Sequence, residues 1–336
     1  MGEVRRTRST AAALAGGGAM TAPYRPSDAA TVVASVSGGK DSTAMLLHLR
    51  ELDVADVRAV FFDTGWEHQV TYDHIDYLQA RLGITIERRA YVVDLPDDLV
   101  VDALDIEEAL GMRRPSAFVR LCLKKGIFPR RTMRFCTQSL KVFVAQEVIR
   151  EAHATGLLPV NAVGIRAAES AARAKMLETE ISPTLDCLVW RPLIRWVEDQ
   201  VIDIHRRHDV RLNPLYMRGA ERVGCWPCIM GSKAELRLLA KDVQRVDAIR
   251  LLESAVRRHY RSRVEARGEQ VERPPTLFTA ARRDEAGDRP GILIDEALAW
   301  ARTARGAAVE QGTLWESDPE DPDAGCMRWG MCEHGP

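Results

Sequence analysis

The sequence predicts an α/β fold built on a parallel sheet of about five strands. Short apolar runs rich in β-branched residues alternate with segments of helical periodicity, and a glycine-rich turn separates the first run from the first helix. Alternation of this kind implies parallel strands joined by right-handed crossovers. A long helical stretch follows the last strand and predicts a helical appendage to the sheet.

The first part of the chain contains three predicted strands and two predicted helices. In chain order these are strand 31–37, helix 43–52, strand 57–65, helix 71–83 and strand 84–93. The second helix ends at a glycine, which is a common helix stop.

The second part continues the same alternation. The elements are helix 139–156, strand 159–166, strand 187–194, helix 198–208 and the long helical stretch 233–267. We therefore divide the chain into a flexible N-terminal extension (1–28), a sheet domain (29–232), a helical appendage (233–312) and an acidic linker with a cysteine-bearing tail (313–336).

The composition is that of a globular protein. The chain has 336 residues, of which 46% are hydrophobic and 28% charged, and its formal net charge is −1. No global field therefore draws it to nucleic acid or to a membrane, and any polyanion site must be local. No apolar stretch reaches the roughly 20 residues of a membrane-spanning helix, which excludes a transmembrane protein.

Cysteine usage and the N-terminus bear on the compartment. Seven cysteines are an odd number, which favours a reducing compartment and thiol or metal chemistry over a disulfide framework, so we expect a cytoplasmic protein. The first 20 residues have a basic start followed by small residues, as export signals do. Their apolar part is mostly Ala and Gly, which favours a flexible extension.

Charge is separated between two neighbouring segments. Residues 94–108 hold seven acids and no base, whereas residues 113–141 hold nine bases and no acid. Segment 113–141 is the best candidate for binding a polyanion. Like charges so close together repel each other, and a bound polyanion would relieve this repulsion. The alternative is that these bases lie on solvent-exposed helix faces.

The turn after the first strand is a candidate phosphate site. Glycines allow a tight turn, so that backbone amides and the start of the next helix can face an anion. Lysine supplies a point charge, the serines supply hydroxyls, and the aspartate can cap the helix or orient the loop. The residues are Ser37, Gly38, Gly39, Lys40, Asp41 and Ser42. A simple strand-to-helix turn is the alternative.

Six segments in order resemble one family. SGGKDS (37–42) is similar to the pyrophosphatase loop (PP-loop) of the adenine-nucleotide alpha-hydrolase superfamily. The further segments resemble the phosphoadenosine phosphosulfate reductase family within it; they are FFDTGWEHQVTYDHIDYL (61–78), RFCTQSLK (134–141), VGIRAAESAAR (163–173), WRPLIRW (190–196) and NPLYMRGAERVGCWPC (213–228). The resemblance covers about residues 31–232. It implies a Rossmann-like, doubly wound sheet that binds ATP or a sulfonucleotide, with Mg²⁺.

The resemblance also implies roles for single residues. The loop residues 37–42 would hold the nucleotide phosphates, and the residues taking part in catalysis would be Lys40, Asp41, Arg166 and Cys136. Asp63, Thr64 and Gly65 would contact the nucleotide or its metal. Arg166, Glu169 and Arg173 fall in a second conserved loop, where an arginine would face the anionic end of the substrate; for Glu169, helix capping is the alternative. Arg134 and Lys141, which flank Cys136, would help to hold phosphates.

The positions of the cysteines distinguish the subclasses of this family. Cys225 and Cys228 form C-x-x-C, a spacing that suits two thiolates on one metal or cluster, with a redox dithiol as the alternative. In the iron–sulfur branch of the family a Cys-Cys pair joins such a motif to hold a [4Fe–4S] cluster. This chain has only Cys136 at that place, followed by Thr137.

Further ligands must therefore come from elsewhere in the chain. Cys326 and Cys332 could fold back to complete a cluster or a structural zinc site. Alternatively, one of these tail cysteines is a mobile nucleophile. Cys122 and Cys187 have apolar neighbours and are expected to be buried.

Three functions follow from these expectations. The first is ATP-dependent activation with pyrophosphate release, coupled to sulfur transfer, with a nucleic acid as a candidate acceptor at segment 113–141. The second is a sulfonucleotide reductase in which a cysteine attacks sulfur and thioredoxin resolves the product. The third is a nucleotide-binding, cluster-bearing accessory subunit. The sequence leaves the sulfur donor open.

Overall fold

A six-stranded sheet forms the centre of the protein in the computed structural model, which describes residues 24–28, 30–271, 273–280 and 289–303. Its strands are β1 (Ala30–Val36), β2 (Val57–Asp63), β3 (Ile86–Ala90), β4 (Leu158–Val163), β5 (Thr179–Ser182) and β6 (Cys187–Trp190). The order across the sheet is β3-β2-β1-β4-β6-β5. All neighbours pair in parallel except β5 and β6, which are antiparallel.

The prediction of a Rossmann-like sheet with about five parallel strands is confirmed. The strand order reverses between β1 and β4, because the chain builds one half of the sheet outward from β1 and then returns to the other side. Sheets of this kind bind ligands in the crevice at this reversal, beyond the carboxyl ends of the strands. The edge strand β5 was not predicted, because its four residues, TEIS, contain no buried side chain.

Eleven helices surround the sheet in the described residues. They are α1 (Lys40–Glu51), α2 (Gln69–Leu82), α3 (Asp97–Ala109), α4 (Ala117–Lys125), α5 (Phe135–Thr137), α6 (Val144–Ala154), α7 (Glu198–Arg207), α8 (Pro214–Met217), α9 (Lys233–Leu239), α10 (Val243–Glu265) and α11 (Ile294–Ala301). A π-helical stretch, Gln138–Phe143, joins α5 to α6, and a short ladder pairs β7 (Phe278–Thr279) with β8 (Gly291–Ile292). The long stretch predicted as helical from residue 233 is therefore two helices, α9 and α10.

Two large apolar cores divide the molecule. One contains β1, α1, α2 and the buried face of α7. The other contains α3, α4, α9, α10 and α11, together with Trp66 and Trp226. The helices after residue 232 therefore share a core with helices that precede β4. The domain boundaries themselves stay a prediction.

Residues of the acidic segment form ion pairs with the basic segment and with α10. Asp102 of α3 accepts hydrogen bonds of 2.5 Å from both Arg258 and His259 of α10. Glu107 at the end of α3 binds Arg120 of α4 at 2.8 and 3.0 Å. Part of the charge separation along the chain therefore serves to join α3 to its neighbouring helices.

The buried carboxyl group of Glu253 on α10 is expected to make stability depend on pH. It accepts hydrogen bonds from the backbone of Leu277 and Ile294 at 3.3 and 3.0 Å. Burial raises the pKa of Glu253 from its ordinary value of 4.5 to about 7 in spite of these bonds. The folded protein then keeps a proton that the unfolded chain has released. The free energy of unfolding should therefore fall, by about 3 kcal/mol in all, between about pH 4.5 and pH 7.

Urea unfolding over this pH range measures the effect. Glu253→Gln should flatten the dependence, whereas Glu265→Gln, which changes an exposed residue of the same helix, should leave it intact. An unchanged slope in Glu253→Gln would show that the proton resides elsewhere.

No helix in the described residues is long and apolar enough to cross a membrane. The cytoplasmic location stays a prediction.

Candidate functional site

The loop after β1 folds back on itself before α1 begins. The backbone N–H of Ser37 donates to Ser42 Oγ at 3.1 Å, and Ser42 Oγ donates to the carbonyl of Gly39 at 3.0 Å. Gly38 has a φ of +74°, a conformation that side chains with a Cβ rarely adopt. Gly38 is therefore needed to place the loop across the start of α1, where the first amides of the helix lack acceptors within it.

Side chains from α7 and α8 hold the backbone of this loop. Asn213 Nδ2 donates to the carbonyl of Gly38 at 3.2 Å, and the N–H of Lys40 donates to the hydroxyl of Tyr216 at 3.1 Å. His205 Nε2 lies 2.9 Å from the carbonyl oxygen of Lys40. All three side chains are fully or almost fully buried. The backbone of the loop is thus held in place by buried side chains that lie about 170 positions later in the chain.

Two cations and two carboxylates meet beside the loop. Lys40 Nζ lies 3.1 Å from Asp41 Oδ2 and 3.3 Å from Glu198 Oε1. Arg166 pairs with Asp41, and its Nη2 lies 3.8 Å from Glu198 Oε1. The side chains of Lys40 and Arg166 are only 7% and 6% exposed. Both cations are therefore held in place by the protein itself.

The loop after β4 approaches the phosphate loop very closely. A Cβ atom at Gly164 would lie 2.6 Å from the carbonyl oxygen of Asp41. Two residues later, the N–H of Arg166 donates to Glu169 Oε2 at 2.8 Å, and Arg173 forms an ion pair with Glu169. Glu169 therefore caps a short 3₁₀ turn, which agrees with the helix-capping interpretation of this residue.

The segment after β2 is a network of buried polar groups. Asp63 Oδ1 accepts from the N–H of Gly65 at 2.9 Å and from the hydroxyl of Tyr72 at 2.8 Å. Thr64 Oγ1 donates to Glu67 Oε1 at 2.7 Å. Gly65 has a φ of +65°, and a Cβ there would lie 2.6 Å from Ser116 Cα. Asp63 and Gly65 thus shape the fold here, while Thr64 lies on the wall of the cavity described next.

A single cavity of about 740 Å³ connects these segments, a size typical of small-molecule sites. Its wall brings together the following predicted residues: Ser37, Gly39, Lys40, Asp41, Ser42, Thr64, Arg134, Cys136, Lys141, Arg166, Glu169, Arg173, Cys225 and Cys228. Gly38, Asp63 and Gly65 lie outside this set. Cys326 and Cys332 lie outside the described residues.

Three cysteines line this cavity together with Lys141. Burial raises the pKa of Cys225 to about 11, and it raises the pKa of Cys136 as well. The pKa of Lys141 is raised in turn, chiefly by the charge of Cys225. The backbone N–H of Met230 lies 3.5 Å from Cys228 Sγ, so it can donate to that sulfur. Lys141 thus lies beside the thiols on the wall of the cavity, and its predicted role in holding phosphates stays a prediction.

The donor set of this cavity fits a thiolate-bound metal or cluster only in part. Cys136, Cys225 and Cys228 supply sulfur, the ligand that zinc and iron–sulfur clusters prefer. Within the described residues, however, no group of three or more His, Cys, Asp or Glu side chains has the arrangement of a metal site. A complete site would need movement of these thiols and a further ligand.

Several residues of the site were not predicted individually. Glu198 contacts Lys40 although 158 positions separate them, and no motif marked it; its only signal is an acid in the first turn of α7. Tyr216 and Asn213 lie in the NPLYM segment that carried part of the resemblance. Glu67 lies in the segment 61–78 that also carried part of the resemblance, whereas His205 gave no signal beyond a polar residue within an apolar pattern.

Comparisons with known proteins agree with this architecture. Residues 31–93 and 106–230 match the family described as the phosphoadenosine phosphosulfate reductase domain. A 37.8 kDa protein of Escherichia phage 186 is 36% identical over 229 residues, which cover 61% of this chain and 68% of that protein. The adenosine 5′-phosphosulfate reductase of Staphylococcus haemolyticus is 26% identical over 199 residues, covering 59% of this chain and 70% of that enzyme.

A solved structure shows a more distant likeness. The phosphoadenylyl-sulfate reductase of Candida auris, in its phosphate complex, superposes with a TM-score of 0.41 at 17% identity, covering 59% of this chain and 82% of that one. The family match, by contrast, spans more than half of the chain and includes both the phosphate loop and the C-x-x-C motif. The chain therefore belongs to the phosphoadenosine phosphosulfate reductase family, within the PP-loop superfamily.

Proposed function

We propose that the protein is an adenine-nucleotide-dependent enzyme that activates an acceptor with ATP, releases pyrophosphate and couples this step to sulfur transfer. The observation that carries the proposal is the shared cavity, whose wall contains both the phosphate loop and the thiols of Cys136, Cys225 and Cys228. A cavity built this way can hold an activated adenylate next to sulfur chemistry.

The charges beside the loop favour ATP with Mg²⁺ as the substrate. Asp41 and Glu198 face Lys40 and Arg166, the two cations beside the loop, so the formal charges of the four side chains cancel. A polyphosphate that arrives alone meets these carboxylates as well as the cations. Mg²⁺ binds oxygen ligands and usually arrives with the phosphates, so it would remove this conflict.

The reaction would proceed by displacement at the α-phosphate. An acceptor oxygen attacks the α-phosphorus, the bond from that phosphorus to the bridging oxygen breaks, and pyrophosphate leaves. Lys40 and Arg166 would stabilise the charge that develops on the leaving group, and such preorganised cations are usually a large part of catalysis. A sulfur nucleophile then replaces the adenylated oxygen, and AMP leaves.

A direct assay tests this function. Purified protein with Mg²⁺ and ATP, and without any sulfonucleotide, should release pyrophosphate when an acceptor is present. Transfer RNA and duplex DNA are the first acceptors to try, because Arg113, Arg130 and Arg131 of the basic segment are exposed and Arg134 lies at the cavity wall. Stimulation that falls steeply with salt supports a nucleic-acid acceptor, whereas a complete lack of pyrophosphate under all these conditions contradicts the proposal.

Sulfonucleotide reduction is the second candidate. It is favoured by three thiols in the nucleotide cavity and by the relationship to an adenosine 5′-phosphosulfate reductase. In this reaction a cysteine thiolate attacks the sulfate sulfur, AMP or its 3′-phosphorylated form leaves, and thioredoxin releases sulfite from the thiosulfonate. Production of sulfite from adenosine 5′-phosphosulfate with thioredoxin would select this function over the first.

A thiolate-bound cofactor is part of the proposal. Cys136, Cys225 and Cys228 would hold a [4Fe–4S] cluster or zinc, with Cys326 or Cys332 as the further ligand. Such a group would bind or polarise sulfur during transfer.

The cofactor can be tested without measuring activity. Protein purified without oxygen should contain iron and sulfide, or zinc, and Cys225→Ser and Cys326→Ser should both lose most of it. Cys187→Ala, which changes a buried cysteine at the start of β6, is the control and should retain the metal. A full metal content in Cys225→Ser would exclude this residue as a ligand.

A further inference from the structure

We propose that Arg245 is a positioning residue for the thiol loop Cys225–Cys228, although it lies on α10, beyond the family match that ends at residue 230. Its side chain is buried, and its guanidinium joins two separate segments. Nη2 donates to the carbonyl of Trp66 at 2.7 Å, and Nε donates to the carbonyl of Trp226 at 2.8 Å. The role of these thiols in sulfur chemistry rests on the proposed function, whereas the contacts of Arg245 are features of the structure.

The two segments that Arg245 joins are already paired with each other. The N–H of Trp226 donates to the carbonyl of Trp66 at 2.7 Å, and Glu67 forms an antiparallel bridge with Cys225. The indole N–H of Trp66 donates to the carbonyl of Pro227 at 3.0 Å. The bonds of the two residues that follow Cys225 therefore end on Trp66, in the segment after β2, and Arg245 adds a further connection from α10.

The chemistry of arginine suits this place. The guanidinium stacks over the Trp66 ring with 4.2 Å between its central carbon and the ring centroid. No carboxylate lies within ion-pair distance of it in the part of the chain that the structure describes, so its polar partners there are carbonyl oxygens. A planar fork with fixed donors can bind two such carbonyls at once, whereas a lysine ammonium is a point charge on a flexible stem.

The consequence is that the helices after residue 232 help to set the reactivity of the thiols in the cavity. The side chain of Cys225 lines the cavity, while the backbone of the next two residues, Trp226 and Pro227, is hydrogen-bonded to Trp66. Release of Arg245 should free this loop locally. The phosphate loop should be spared, because β1 and α1 belong to the other core.

The test uses the full chain without metal and compares Arg245→Met with the wild type. We expect the thiol of Cys225 to react with iodoacetamide about tenfold faster or more, because loss of two hydrogen bonds to a charged group favours local opening. Peptides that contain Trp226 should exchange their amide hydrogens faster by a similar factor, whereas peptides from α1 should not change. Arg245→Lys should restore part of the protection.

Two controls make the result decisive. Arg250→Met removes an exposed arginine from the same helix, one that pairs with Asp295 and Asp247, and should leave Cys225 as in the wild type. The buried thiol of Cys122 reports global unfolding. Wild-type protection of Cys225 in Arg245→Met, or an equal acceleration at Cys122, overturns the proposal. Absence of ATP binding by the wild type would count against the proposed function alone.

Discussion

Lys40→Met should lower pyrophosphate release from ATP by about two to three orders of magnitude, which is the usual cost of removing one preorganised group that stabilises developing charge. Lys40 is buried, and its ammonium is held by Asp41 and Glu198 beside the loop. The substitution keeps much of the volume of the side chain and removes its charge. Steady-state kinetics with MgATP measures the effect, and the loss should be seen mainly in kcat.

The comparison for this variant is Arg150→Met, which removes one positive charge from an exposed position on α6. It should leave pyrophosphate release as in the wild type. If Lys40→Met kept more than about a tenth of the wild-type rate, Lys40 would not act on the leaving group.

Gly164→Ala should weaken nucleotide binding and destabilise the fold. Its new Cβ would lie 2.6 Å from the carbonyl oxygen of Asp41 and 2.9 Å from Ser42 Cα. Because the first contact is with backbone, the methyl group can be accommodated only if β4 or the start of α1 moves. We expect a loss of about 1 to 3 kcal/mol in the free energy of unfolding. ATP should bind at least about tenfold more weakly, since movement of the loop also displaces Lys40.

Urea unfolding and calorimetry with ATP measure these two effects. Gly224→Ala adds the same methyl group where no atom lies within 4 Å, and its free energy of unfolding should stay near that of the wild type. Normal ATP binding by Gly164→Ala would mean that the two loops can separate without loss of the phosphate site.

The elements with strong local patterns were predictable from the sequence. Four of the five parallel strands, β1, β2, β4 and β6, are largely buried apolar runs, and α2 ends at Gly83, as the sequence predicted. Strand β5 was not predicted because it is a strand only through its pairing with β6 and has no apolar pattern of its own. The break between α9 and α10 was not predicted because residues 240–242 contain neither proline nor glycine.

The candidate site was predictable only where one local segment carries it. The phosphate loop and the C-x-x-C motif are contiguous, and both line the cavity. The partners of Lys40 are not contiguous with it: Glu198, His205 and Tyr216 approach it from α7 and α8. Each is a common residue type, and it contacts the loop only because the fold brings it close to the point where the strand order reverses.

The division of the molecule into two apolar cores has a consequence for how such a protein can change over time. The nucleotide loop rests on one core, while the thiol loop is tied through Trp66 and Trp226 to the other. Replacements in the helices after residue 232 can then alter the surroundings of Cys225 and Cys228 and leave the loop 37–42, with its supports from α7 and α8, in place. An ancestral scaffold of this kind can acquire new reactions by exchanging its C-terminal helices.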